Sequence, residues 1–307
     1  MRSHVGLLIV LALVAASCSD TTARPTTSAA PTVSAGPRVS TTEPRIQTTS
    51  SVGTTTTTFP PGLPSGQRGC GSLESFYYAT DLVAMEAQPV ILATILGDTG
   101  LLGELLATGS DPDEINEFYG QTGLTTAIES DCYEAIDLLL TAGASPNLSI
   151  PEMMWTPLQM AIRRDNAALV ERLIVLGADV DAVGPEEDTA LTLAASREAP
   201  SEVLRLLLDA GADLEHSNWV GTAIENAVGS VDNVTLLFEA GAEPAGALYE
   251  AVAVNALGTL KYLLDQGIPV NVPPPADARF PEQSLLARAE ATGRTEIAQF
   301  LRDLGAE

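Results

Sequence analysis

The stretch Thr156–Asp181, TPLQMAIRRDNAALVERLIVLGADVD, decides the fold. Thr-Pro is a helix start: Thr156 can cap, and Pro157 fits the first turn, where its missing N–H costs nothing. Leu158, Ala161 and Ile162 then share one face at the i, i+3, i+4 spacing of an amphipathic helix. The polar break Arg164-Asp165-Asn166 separates this helix from a second, which carries Leu169, Val170, Leu173 and Ile174. Gly177 ends the second helix as a left-handed cap. Two short helices cannot bury their apolar faces alone, so the unit needs neighbours.

Neighbours are present along the chain. A phrase of the form Leu-Leu/Ile-x-x-Gly-Ala/Ser recurs with Gly at 109, 143, 177, 211, 241, 267 and 305, at spacings of 34, 34, 34, 30, 26 and 38. Periods in this range point to a helical repeat array. About twenty residues before each Gly stands a helix start followed by Ala: Pro89 with Ala93, Leu124 with Ala127, Leu158 with Ala161, Leu191 with Ala194, Ile224 with Ala227, Leu248 with Ala251, and Leu286 with Ala289. The pattern resembles the ankyrin repeat, Gly-x-Thr-Pro-Leu-His-x-Ala-Ala followed by a turn and Val-Val-x-x-Leu-Leu-x-x-Gly-Ala, from about residue 88 to the end. The motif His is missing from every copy, with Gln159 and Thr192 in two of its places, and only Gly97 and Gly293 keep Gly in the inter-helix turn. The resemblance implies an all-α solenoid of about seven helix-turn-helix repeats. It also implies a protein-interaction scaffold that binds through projecting fingers and a concave helix face.

The formal charge of the chain is −25. Residues 1–69 hold five Arg against Asp20 and Glu43, which leaves 10 basic against 38 acidic side chains in the rest. Such a surface repels nucleic-acid phosphates and anionic headgroups, and it favours a basic protein partner or simple solubility.

Residues 1–17 read as an export signal, with Arg2 and His4 ahead of the apolar run Val5–Val14 and then Ala15, Ala16 and Ser17. Cys18 follows directly and resembles the acylated Cys of a bacterial lipoprotein, which would anchor the chain to the outer side of the cell membrane. A plain secretory signal that happens to contain Cys is the alternative. Residues 18–69 form a Thr/Ser/Pro-rich tether that includes Thr54–Thr58. It has too few large apolar residues to offset its ordering entropy, and its Ser/Thr content is compatible with O-glycosylation. Residues 70–307 make the repeat domain, with 73–88 expected as a capping helix over the first repeat's open face. Cys70 and Cys132 fall on the exported side, where a disulfide between them would staple the N-terminal end; free thiols are the other reading.

The candidate partner-binding residues lie on the loops. The first loop carries Phe118 and Tyr119 beside Glu114 and Glu117, and the second carries Met153, Met154 and Trp155 beside Glu152. The third carries Glu186, Glu187 and Asp188, and the fourth His216 and Trp219. Apolar loop residues rimmed with carboxylates suit a protein interface; the alternative for Trp155 and Trp219 is packing on their own helix starts. The resemblance adds the ends of the first helices as a concave site, here Glu129-Ser130, Arg163-Arg164 and Ser196-Arg197. Asn147-Leu148-Ser149 and Asn233-Val234-Thr235 are glycosylation sequons.

Enzymatic chemistry lacks its parts. After signal removal His216 is the sole histidine, so a Ser or Cys nucleophile has no base-and-orienter set. Two cysteines make no zinc site, and no phosphate-binding or dinucleotide glycine pattern is present. The reading is a tethered, monomeric scaffold without cofactor, metal or catalysis. The runner-up is an immunity or inhibitor protein that neutralises a basic toxin or hydrolase.

Overall fold

Four of the seven described repeats begin at a threonine that caps the first helix. Thr122, Thr156, Thr189 and Thr222 stand at N-caps in extended backbone, and each closes a capping box with the residue three further on. Those partners are Thr125, Gln159, Thr192 and Glu225. The short first helix that follows is almost wholly buried, so it cannot be a surface element. It is the inner layer of a stack.

The computed structural model describes residues 70, 88–116, 121–148, 155–274 and 283–307. Cys18, the tether, the expected capping helix, Phe118, Tyr119, Met153 and Met154 lie outside the described residues. The described residues belong to a unit that runs from Leu63 to Glu307. They form helix pairs α1 (Pro89–Leu96) with α2 (Thr99–Ala107), α3 (Gly123–Glu129) with α4 (Tyr133–Thr141), and α5 (Pro157–Arg163) with α6 (Ala167–Val175). Next come α7 (Ala190–Ser196) with α8 (Ser201–Asp209) and α9 (Ala223–Asn226) with α10 (Val231–Glu239). The last pairs are α11 (Ala245–Val254) with α12 (Leu257–Asp265) and α13 (Leu285–Ala291) with α14 (Thr295–Asp303). A two-residue ribbon, β1 (Ile115–Asn116) antiparallel to β2 (Gln121–Thr122), closes the first finger. The fold is thus an all-α solenoid of seven helix pairs among the described residues.

First helices pack on first helices and second on second, so one core runs unbroken from Val90 to Leu301. Ile91, Leu102, Leu124, Ile128, Leu158, Leu173, Leu191 and Leu204 are among its fully buried side chains. Burial of each stabilises by about 1.5–3 kcal/mol.

Both ends of every second helix follow from its sequence. The seven Gly that define the period all sit at positive φ, between 80° and 104°. The residue after Gly143, Gly177, Gly211 and Gly241 donates its N–H back to the buried Leu five positions before it, as Ala178 does to Leu173 O at 2.9 Å. Six of the seven described inter-helix turns use the same left-handed residue, and Gly97 and Gly293 supply it in the first and last. Asp131, Asp165, Glu198 and Asn255 take that role in other pairs, at φ of 54°, 52°, 52° and 66°.

Polar ties bind neighbouring repeats. Ser145 N donates to Asp113 Oδ1 (2.8 Å), Asp179 N to Asn147 Oδ1 (2.7 Å) and Asp213 N to Asp181 Oδ1 (2.8 Å). Buried Asn233 donates its side-chain amide to Ala199 O at 3.0 Å and accepts from Ser201 Oγ. That sequon is therefore sealed inside the fold. Cys70 is bonded to Cys132, with their Cα atoms 4.8 Å apart. At the far end Arg302 pairs with Glu290 at 2.6 Å, so the last pair presents a polar outer side.

Candidate functional site

The third and fourth fingers are built as one cross-tied unit. Asp188 is its hub, only 4% exposed. Its carbonyl accepts from Gly184 N (2.8 Å) and from Gln159 Nε2 (2.7 Å) of the preceding repeat. Its Oδ1 accepts from Thr192 Oγ1 (3.2 Å) and from Asn218 Nδ2 (2.6 Å) of the following finger. Asn218 Oδ1 in turn accepts from Val220 N (2.9 Å), Gly221 N (3.1 Å) and Asn226 Nδ2 (3.0 Å). A single bridge pairs Ser217 with Thr222, and His216 Nε2 donates to Glu187 O at 2.8 Å. The tip Asn218-Trp219-Val220-Gly221 is therefore fixed from below and from the side.

What this unit offers to solvent is acidic and apolar. Glu186 and Glu187 are exposed at the tip of the third finger. Trp219 is 84% exposed and Val220 57%. Asp188 must be taken off the set of partner-contacting carboxylates, because it is buried and its Oδ1 is committed inside the fold.

Glu114 is corrected in the same way. Its Oε2 accepts from Val90 N at 2.9 Å, and Gln88 Nε2 donates to Ile115 O at 2.7 Å, so the base of the first finger folds back onto the start of α1. Burial pushes the Glu114 carboxyl above its ordinary value, against the lowering effect of the bonds from Val90 and Ile91.

The helix-end residues do not form one free surface. Arg164 makes a two-pronged pair with Asp131 (Nε–Oδ1 3.1 Å, Nη2–Oδ2 2.8 Å) and also donates to Glu129 O. It is a tie between the second and third repeats, and that accounts for its position better than partner binding does. Arg197 Nη2 repeats the device on Arg163 O at 3.3 Å. The Glu129 carboxylate accepts from Gln121 Nε2 at 3.0 Å. Arg163 lies over the Trp155 ring, 4.8 Å from its centroid, and Trp155 is partly buried against the core. Of the two indoles, one packs and one projects.

Gln159 stands where the motif has His. It accepts from Thr156 N (3.0 Å) and donates to Ala182 O (3.1 Å) and Asp188 O (2.7 Å), so it holds the third finger to the repeat before it. The signal was available as Thr-x-x-Gln, a capping box. Asn218 carried no comparable signal.

The comparisons agree with this geometry. The family model described as "Ankyrin repeats (3 copies)" matches residues 90–183 and 158–246. The chain belongs to the ankyrin-repeat family. It is similar to ankyrin repeat and SOCS box protein 6 of Homo sapiens, 34% identical over 140 residues that cover 41% of this chain and 33% of that protein. It is also similar to NF-kappa-B inhibitor alpha of Mus musculus, 34% identical over 106 residues, a third of each chain. The matched part thus spans about a third of the length of these relatives. Among solved structures it resembles the ankyrin repeat domain of Bcl-3, with a TM-score of 0.57 and 24% identity, over 70% of this chain and 98% of that one. That likeness speaks to the fold alone.

Proposed function

We propose that this protein is a scaffold held at the outer side of the cell membrane through lipidated Cys18, where it binds a basic protein partner through its fingers. The observation that carries the binding reading is the cross-tied pair of fingers, which presents exposed Glu186, Glu187 and Trp219 on a fixed base. Fixing a surface before binding lowers the entropy lost on association. The charge of −25 selects for basic proteins and against nucleic acid. The anchoring reading rests on the sequence Ala15-Ala16-Ser17-Cys18 and the tether after it. The protein acts as a monomer, by binding and without catalysis, cofactor or metal. Among the described residues no helix is long and apolar enough to cross a membrane.

A second reading, an inhibitor or immunity protein that occupies a basic toxin or hydrolase, draws on the likeness to a relative named as an inhibitor. The test joins both parts of the first reading. Cys18→Ser should move the full chain from the membrane to the soluble fraction. Association with the captured partner should slow with added salt and after Glu186→Lys with Glu187→Lys. Unchanged partition sinks the anchor; an acidic partner, or one indifferent to both charge changes, sinks the binding surface.

A further inference from the structure

Trp219 is the most exposed large apolar side chain among the described residues. An indole in water on a wandering loop would be unremarkable, but this one stands on a tip whose turn is pinned. Asn218 Oδ1 takes three donors there, Gly221 adopts φ of 146°, and Asn226 Nδ2 donates to Gly221 O at 3.0 Å. Val220, at the same tip, adds a second apolar group. An aromatic carried on a pinned backbone turn and left in solvent has the properties of an interface anchor: large area and only two side-chain torsions to order.

We propose that this tip is inserted. The Trp219 indole enters an apolar pocket of a folded protein partner whose rim carries Lys and Arg. The inference rests on the protein-binding reading above and names its centre. A tip that protrudes fits a cavity rather than a flat face. Its surroundings fix the charge of the rim, because the two fingers, 183–188 and 213–221, contain Glu186, Glu187, Asp188, Asp213 and Glu215 and no Lys or Arg. With Asp188 buried, the other four remain to face the partner. A second copy of this chain would bring the same negative charge to the contact, and an anionic lipid surface would do likewise.

The test places benzoylphenylalanine at position 219 of the full chain in its native cell, and separately at position 163 on the helix-end face. After illumination the cross-linked residues are identified by mass spectrometry. The expected product at 219 joins a folded protein at an apolar pocket flanked by Lys or Arg. With that protein purified, Trp219→Ala should raise Kd at least about 30-fold and Trp219→Phe by less. Unchanged circular dichroism and melting would show that both variants fold. Products with lipid, with a second copy or with a site lacking a basic rim overturn the proposal, as does a change in Kd below about threefold. If position 163 yields a protein product and 219 does not, insertion fails and the scaffold reading stands. If neither position yields one, both fail.

Discussion

Replacing Gln159 by Met tests whether the third finger is held by the residue that stands in for the motif histidine. Met fills a similar volume, so the change removes hydrogen bonds without opening a large cavity. Gln159 is 1% exposed. Its loss strands Thr156 N, which sits in a buried bond, whereas Asp188 O keeps its bond from Gly184 N and Ala182 O is only partly buried and can turn to water. A buried group left without a partner costs about 1–3 kcal/mol and the lost bond to Asp188 O adds about 0.5–1.5 kcal/mol, so the variant should lose about 1.5–4.5 kcal/mol, a large share of a typical domain's stability. Gln159→His is the control. One ring nitrogen can accept from Thr156 N and the other donate to Asp188 O, which leaves only the Ala182 bond unmade, at about 0.5–1.5 kcal/mol. Urea unfolding gives the totals, and amide exchange locates them. Protection should fall first at 182–190 and in α7, because a repeat contacts only its neighbours. If Gln159→Met stays within about 1 kcal/mol of the native protein, or protection falls evenly along the array, Gln159 does not tie the finger.

Glu198→Gly should stabilise, since an exposed non-Gly residue at φ of 52° carries about 1–2 kcal/mol of strain, partly offset by the greater freedom of Gly when unfolded; a melting rise of about 2–4 °C per kcal/mol is the readout. Cys132→Ser opens a cross-link between residues 62 positions apart. In the chain-entropy model this costs about 4 kcal/mol, and amide exchange should show protection lost in α1–α4 before α13–α14. Glu114→Gln keeps an oxygen for Val90 N but cannot ionise. Because burial raises the folded carboxyl above 4.5, the folded state holds its proton more tightly than the unfolded chain. The native protein therefore loses stability as pH climbs from that value through the raised one, and the variant does not. Denaturant midpoints across about pH 4 to pH 8 should show the variant gaining on the native protein and then levelling; a constant difference refutes it.

The helix pairs were legible because a repeat array is written locally. Gly177 caps its own helix and Pro157 starts its own, so the period of seven Gly reports seven structural units directly. The site was less legible because its residues are fixed by partners a full repeat away. Glu186, Glu187 and Asp188 are one acidic run in the sequence, yet Asp188 alone turns inward, drawn by Gln159 at 29 positions' distance and Asn218 at 30. Glu114 is withdrawn in the same manner by Val90 N, 24 positions before it. Arg164 reaches Asp131 across 33. No periodicity within one repeat encodes these choices.

The two tryptophans show how small the deciding difference can be. Trp155 is joined directly to its N-cap, Thr156, and its ring packs partly buried against the core, where Arg163 at the end of α5 covers it. Trp219 stands three residues before the corresponding Thr222, with Gly221 between them at φ of 146°. A Cβ at 221 would fall 1.5 Å from Glu225 Oε2, so the capping carboxylate and the turn occupy one space and only Gly lets both exist. That constraint separates the indole from the helix start it would otherwise cover. The capping box shared by these two repeats therefore packs the Trp next to it and projects the one set two residues further upstream.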